Sequence, residues 1–121
     1  MPKRGTPPIH GDLLQGTLDV LILKTIALGP AHGHAIACAI ERQSDDVLQV
    51  EHGSLYPALH RLERQKWIAS GWKVSENKQR VKLYRLTAAG RKRLASERSR
   101  WAQISDAVAG ILNPARKGSE A

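Results

Sequence analysis

Gly53-Ser-Leu-Tyr-Pro-Ala-Leu-His-Arg-Leu-Glu-Arg64 is the stretch on which the fold turns. At about 100° per residue, Leu55, Ala58, Leu59 and Leu62 fall on one face of a helix. Tyr56, His60 and Arg64 fall on the other side at spacings of four, with Pro57 and Arg61 beside them. One face can dock on a protein body while the other stays free. The spacing predicts a helix from Gly53 to Lys66, with Pro57 near its first turn, where a missing N–H costs little.

Working outward, the chain upstream supplies two further helices. Leu13 to Leu28 is apolar at Leu14, Leu18, Leu21, Ile22 and Ile26, and Val20 and Leu23 widen that stripe until it nearly encircles the helix. Such a helix is buried from several sides. Asp12 and Gln15 resemble a capping pair at its start, and Gly29-Pro30 ends it. A second helix spans Gly33 to Gln43, with Ala35, Ile36, Ala39 and Ile40 on its inner face.

Downstream, Ile68 to Val74 and Arg80 to Leu86 read as two strands joined by the polar loop Ser75 to Gln79. Val81 and Leu83 share one face while Tyr84 and Leu86 share the other, which fits strands covered partly on both sides, or a bulge. Thr87 is placed to cap a last helix from Ala88 to Leu112, which Asn113-Pro114 stops. The order is helix, helix, helix, strand, strand, helix. We therefore expect a mainly α fold with a small β-hairpin (α+β): a winged helix-turn-helix domain over residues 12–87 and a C-terminal dimerisation helix over 88–112. A flexible arm over 1–11 and a disordered tail over 113–121 flank them.

The 121 residues carry 19 Lys and Arg against 11 Asp and Glu, a formal net charge of +8. That excess favours a polyanionic partner, because neutralised phosphates release counterions. The third helix suits the major groove of double-stranded DNA, whose edges present a different hydrogen-bonding pattern for each base pair. Ser54 and Tyr56 stand near the helix N-terminus, where N–H groups and the helix dipole favour phosphate. His60 can reach a base or phosphate, and Arg61 and Arg64 supply charge. Lys73, Lys78, Arg80 and Lys82 crowd the hairpin, as a wing along the backbone or the adjacent minor groove requires. The expected DNA contacts are Ser54, Tyr56, Pro57, His60, Arg61, Arg64, Lys73, Lys78, Arg80 and Lys82.

The combination Leu13-Leu-Gln-Gly-Thr-Leu-Asp-Val-Leu-Ile-Leu-Lys24, Gly29-Pro-Ala-His-Gly33, Gly53 to Glu63 and Leu83-Tyr-Arg-Leu-Thr-Ala-Ala-Gly90 resembles the PadR family of transcriptional regulators. Ser54 to Leu59 is its most diagnostic piece, and the likeness runs from about Leu13 to Leu94. The resemblance implies a winged-helix repressor that binds an inverted-repeat operator and is dimeric through its first and last helices. It assigns a DNA role to Tyr56 and sets Ser54 where the family usually has Thr or Ser. His34 departs from it, since similar sequences often carry Tyr there. Some relatives bind aromatic or hydrophobic effectors at the dimer interface, and that departure bears on whether such a pocket exists here.

The last helix supports the dimer independently. Leu94, Trp101 and Val108 recur every seven residues, with Ile104 and Ile111 between them and Glu97 interrupting the seam. At 1.5 Å per residue the helix is about 37 Å long and outreaches the body before it. An identical helix across a two-fold axis is the simplest cover. The expected interface is Leu14, Leu18, Leu94, Trp101, Ile104, Val108 and Ile111. Trp101 is also the candidate to stack on a small apolar or aromatic effector.

No enzymatic constellation appears: there is no glycine-rich phosphate loop, no paired carboxylates, and no Ser or Cys partner for His60. The lone Cys38 excludes a disulfide framework and reads as a small buried hydrophobe rather than a redox sensor. His10, His32, His34 and His52 lack a convincing metal-ligand spacing, so no metal and no cofactor is expected. The longest apolar run, Ala35 to Ile40, is too short to cross a bilayer, and a cytoplasmic location follows. A non-specific architectural nucleic-acid-binding protein is the alternative. RNA binding is disfavoured by an aromatic content of 4%, and a winged helix used only for protein contacts by the basic surface.

Overall fold

The computed structural model describes residues 9–10 and 15–114. Leu14 and the Asp12–Gln15 capping pair, like the tail beyond Pro114, lie outside the described residues or their side chains. Helix α1 (Gln15–Ala27) is the hub. Leu18, Val20, Ile22, Leu23 and Ile26 are all buried along it, because α2 (Gly33–Gln43), α3 (His52–Arg64), β5 (Arg80–Leu86) and α4 (Ala88–Leu112) each pack on a different side. The encircling apolar pattern has this cause. After Ala27 the chain tightens through Leu28 N–H to Thr25 O and Gly29 N–H to Ile26 O. Gly29 then takes a φ of +156°, which a side chain would resist.

On α2 the buried positions are Gly33, Ile36, Ala37, Ala39 and Ile40, with Ala35 only half covered. His32 caps it: its Nδ1 accepts the Ala35 N–H at 3.2 Å. Helix α3 begins at His52, one residue earlier than its sequence predicts, and Pro57 consequently falls in the second turn. Pro57 cannot donate to the carbonyl four residues back, at Gly53. Both positions are exposed, so solvent can satisfy that carbonyl.

Strands β4 (Ile68–Val74) and β5 pair antiparallel in unbroken register, Ile68 opposite Leu86 and Val74 opposite Arg80. No bulge interrupts them. The mixed alternation instead reflects cover on both faces, with Tyr84 and Leu86 buried and Val81 and Leu83 half-buried. A third strand, β2 (Ala31–His32), adds to the far edge of β5 and gives the order β2-β5-β4. A second, minimal sheet joins β1 (Ile9–His10) in parallel to β3 (Leu48–Gln49). Two-residue strands leave no periodicity for a sequence to display, which is why neither was foreseen.

The core is one cluster, in which α1 and α2 meet Leu55, Ala58, Leu59 and Leu62 of α3, Ile68, Tyr84 and Leu86 of the sheet, and Leu94 of α4. Thr87 caps α4 as expected, accepting the Gly90 N–H at 3.0 Å. Beyond Leu94 the helix runs on beside α1, with its side chains exposed from Arg98 to Val108.

This geometry corrects two interface expectations. Leu18 is 4% exposed and Leu94 8%, both already buried within their own subunit, so neither has surface left for a partner. Leu94→Asp would break the core rather than a dimer.

Candidate nucleic-acid interface

Four leucine and alanine side chains turned inward leave Tyr56, His60 and Arg64 on the exposed edge of α3, together with Ser54 and Pro57. This edge stays open to solvent, although Tyr56 leans on the start of α2. Tyr56 is held in place from two sides. Its ring lies over the backbone of Gly33, where a Cβ would come within 2.7 Å of the hydroxyl and 2.8 Å of Cε1. The His52 ring meets it edge-on at 5.7 Å, and His34 meets His52 edge-on at 5.9 Å. His34 Nε2 also contacts Cys38 Sγ at 3.4 Å, and Cys38 is half-buried rather than enclosed. Among the described residues no group of three or more His, Cys, Asp or Glu converges to hold a metal.

Gly33→Ala should therefore displace Tyr56 while leaving α2 intact, since the clash is with the tip of a rotatable ring. We expect weaker DNA binding with a circular dichroism spectrum like the parent's. Undiminished affinity would show that the ring's position does not matter.

Arg61 requires a correction. It does not share the outer edge with Tyr56, His60 and Arg64. It turns toward α1, where it donates to the Asp19 carboxylate at 2.6 Å, and its Nε is buried with no hydrogen-bond partner among the described residues. Burial pushes the Asp19 carboxyl above its usual range, and the hydrogen bond and charge of Arg61 counter only part of that rise. Arg61 is thus a clamp between α3 and α1. The folded Asp19 value exceeds the unfolded one, so the fold binds this proton more tightly, and stability from this site is lost as pH rises through that window. Arg61→Ala removes the opposing charge and widens the window. It should cost about 1–2 kcal/mol at pH 7 and visibly less at a second, more acidic pH at which the Asp19 carboxyl is protonated. Urea unfolding at the two pH values measures this, and equal losses would refute the pairing.

The wing is tied to α3 by Glu63. Its carboxylate accepts a short hydrogen bond from Ser70 Oγ on β4 and stands 3.7 Å from Lys82 Nζ on β5. Lys82 Nζ also lies 5.5 Å from the centre of the Tyr84 ring. Glu63 adds to the burial of Tyr84 in raising that phenol above its ordinary range, with Tyr56 a smaller cause. Lys73, Lys78 and Arg80 are exposed along the hairpin and its tip. Lys78 adopts a φ of +61° in a turn closed by its own N–H to Ser75 O and by Ser75 N–H to Gln79 O. Helix edge and wing cations thus border one open surface. Sequence reasoning missed Trp72, which is exposed on β4 with the Arg80 guanidinium 4.6 Å over its ring.

A family model described as the transcriptional regulator PadR-like family matches residues 22–96. The chain belongs to this family. Its PadR-like fold recurs in solved structures. A PadR family transcriptional regulator from Eggerthella lenta is 33% identical, with a TM-score of 0.68 over 81% of this chain and 83% of that one. A transcriptional regulator from Clostridium thermocellum is 27% identical, with a TM-score of 0.73 over 83% of this chain and 94% of that one. An uncharacterised protein of Lysinibacillus sphaericus is 28% identical over 100 residues, covering 83% of this chain and 92% of its own length. As a PadR-like transcriptional regulator, the protein has a DNA-binding role. The matched span holds α2, α3, the wing and the start of α4, the segments that carry the open surface. No helix of the described residues is long and apolar enough to cross a membrane.

Proposed function

We propose that this PadR-like protein represses transcription in the cytoplasm by binding a pseudo-palindromic operator as a homodimer. The observation that carries the reading is the unobstructed edge Ser54, Tyr56, Pro57, His60 and Arg64, bordered by Lys73, Lys78, Arg80 and Lys82. The helix edge enters the major groove and reads bases, while the wing cations hold phosphates and set orientation.

Dimerisation rests on α4. Trp101, Ile104, Val108 and Ile111 are large apolar side chains that their own subunit leaves exposed. A second copy of the helix buries them and spaces two reading heads by one turn of the duplex, about 34 Å. A repressor of this kind acts by occluding a promoter.

A small apolar or aromatic effector has a place to act. Between α1 and α4 lies a cavity of about 420 Å3, lined by Leu23, Trp67, Trp101 and Ile104, with Arg93, paired to Glu97 at 2.6 Å, at its wall. An occupant there changes how α4 leaves the body, and with it the angle between reading heads. Titrating tryptophan fluorescence with a panel of aromatic compounds tests this, and silence throughout would remove the effector.

The operator reading is tested by measuring affinity for a selected duplex and for random duplex over a range of salt. Specific readout predicts a gap between the two that persists as salt rises. Equal affinities at every salt concentration would make the protein a non-specific architectural binder.

A further inference from the structure

The strand register puts Trp72 and Val74 on the same face of the hairpin as Ile68, and opposite Lys82 and Arg80. Near the body that face is core, with Ile68 and Tyr84 buried. Beyond Ser70 the body stops and the face continues bare, leaving Trp72 61% and Val74 62% exposed. A lone exposed Trp needs no explanation, but this one is held. The Arg80 guanidinium lies 4.6 Å over its ring, which fixes an aromatic face and a cation together. The ring forms one wall of a cleft of about 420 Å3, and Tyr56, His60, Lys82 and Tyr84 form the others. The cleft thus joins the reading edge of α3 to the inner face of the wing.

We propose that this cleft seats one strand of the bound duplex and that Trp72 is a DNA contact, its ring against deoxyribose while Arg80 and Lys82 take the flanking phosphates. The inference rests on the DNA-binding reading above and adds an apolar contact to a wing otherwise credited only with charge. Bases within a duplex are stacked on one another, so the sugar edge is the apolar surface a ring meets along the backbone. Charge complementarity selects the occupant: Lys82 lines the cleft and the Arg80 guanidinium lies over its Trp72 wall, with the Glu63 carboxylate 3.7 Å from Lys82. A second copy of a chain with a net charge of +8 would bring like charge to it.

The experiment compares the full-length parent with Trp72→Ala, Trp72→Phe and Lys82→Ala on one selected duplex. Trp72→Ala should lose about tenfold in affinity, within the range for a lost aromatic–nucleotide contact, with an unchanged melting temperature. Its salt dependence should match the parent's, because no charge is removed. Lys82→Ala should lower the salt slope by about one, and Trp72→Phe should recover most of the binding. The parent must bind the duplex for the comparison to stand, and failure there would sink the DNA reading itself. If the parent binds and Trp72→Ala binds equally well, only the present inference falls. Should Trp72→Ala misfold, acrylamide quenching decides. Duplex must shield tryptophan emission in the parent and not in Trp72→Phe. Shielding that is unchanged between them, or that appears with protein concentration and no DNA, overturns the assignment.

Discussion

Replacing Trp101 and Ile104 together by Asp should leave a folded monomer whose operator affinity is lower by about 100-fold or more. Both side chains are exposed and lie outside the subunit's core cluster, so that core stays intact. Two carboxylates on the seam must either be desolvated against the partner or keep the helices apart. The second reading head is then no longer tethered, and the effective concentration that made its binding nearly free disappears. That effect alone is worth a factor of about 10²–10⁴. Sedimentation gives the mass, circular dichroism the fold, and a titration with the full operator against a single half-site the affinity. The double variant should bind both duplexes alike. A monomer that keeps the parent's affinity for the full site would show that the seam does not serve DNA binding.

Among the described glycines, Gly90→Ala should be the most destabilising change, at about 3 kcal/mol, enough to shift the folding equilibrium more than 100-fold. A Cβ built on Gly90 would stand 1.9 Å from the Trp67 carbonyl oxygen and 2.7 Å from Leu86 Cδ1. A flexible side chain could move aside, but a backbone carbonyl held at a corner cannot. Thr87 holds it there. Its Oγ1 donates to the carbonyls of Lys66 at 2.7 Å and Trp67 at 3.0 Å, and its N–H reaches the Trp67 carbonyl at 3.1 Å. The corner is where α4 is pinned to the turn between α3 and β4, so the same methyl would also tilt the dimer helix relative to the reading edge. Urea unfolding should show the loss, and the surviving folded fraction should still bind operator poorly. A midpoint within error of the parent's would mean that the close approach is not enforced.

Most of the architecture was legible because it rests on local signals strong enough to stand alone. The limits of α2, β4, β5 and α4 coincide with those expected from periodicity and breakers, and Thr87 caps where a Thr before a helical run should. What escaped depends on partners distant in sequence. The strand Ala31–His32 exists only because the edge of β5 was open, and nothing in two residues announces that. Arg61 looked like one more cation beside the reading edge, since helical spacing does not reveal that Asp19, 42 positions earlier, would draw it inward. Leu18 and Leu94 carried the right apolar signature, which cannot distinguish burial in one's own core from burial against a copy. Trp72 was passed over for a related reason. Its phase along β4 matches core positions, and only the place where the body ends reveals that the core face runs on uncovered.

The wing and α4 matter to gene control only if the edge formed by Tyr56, His60 and Arg64 reaches two grooves at once. In vitro selection from random duplex, followed by alignment of the enriched molecules, measures this most directly. Two matching half-sites in inverted orientation, centred about one helical turn apart, are the predicted outcome. Enriched molecules without two-fold symmetry, or a pool that stays random through every round, would contradict it.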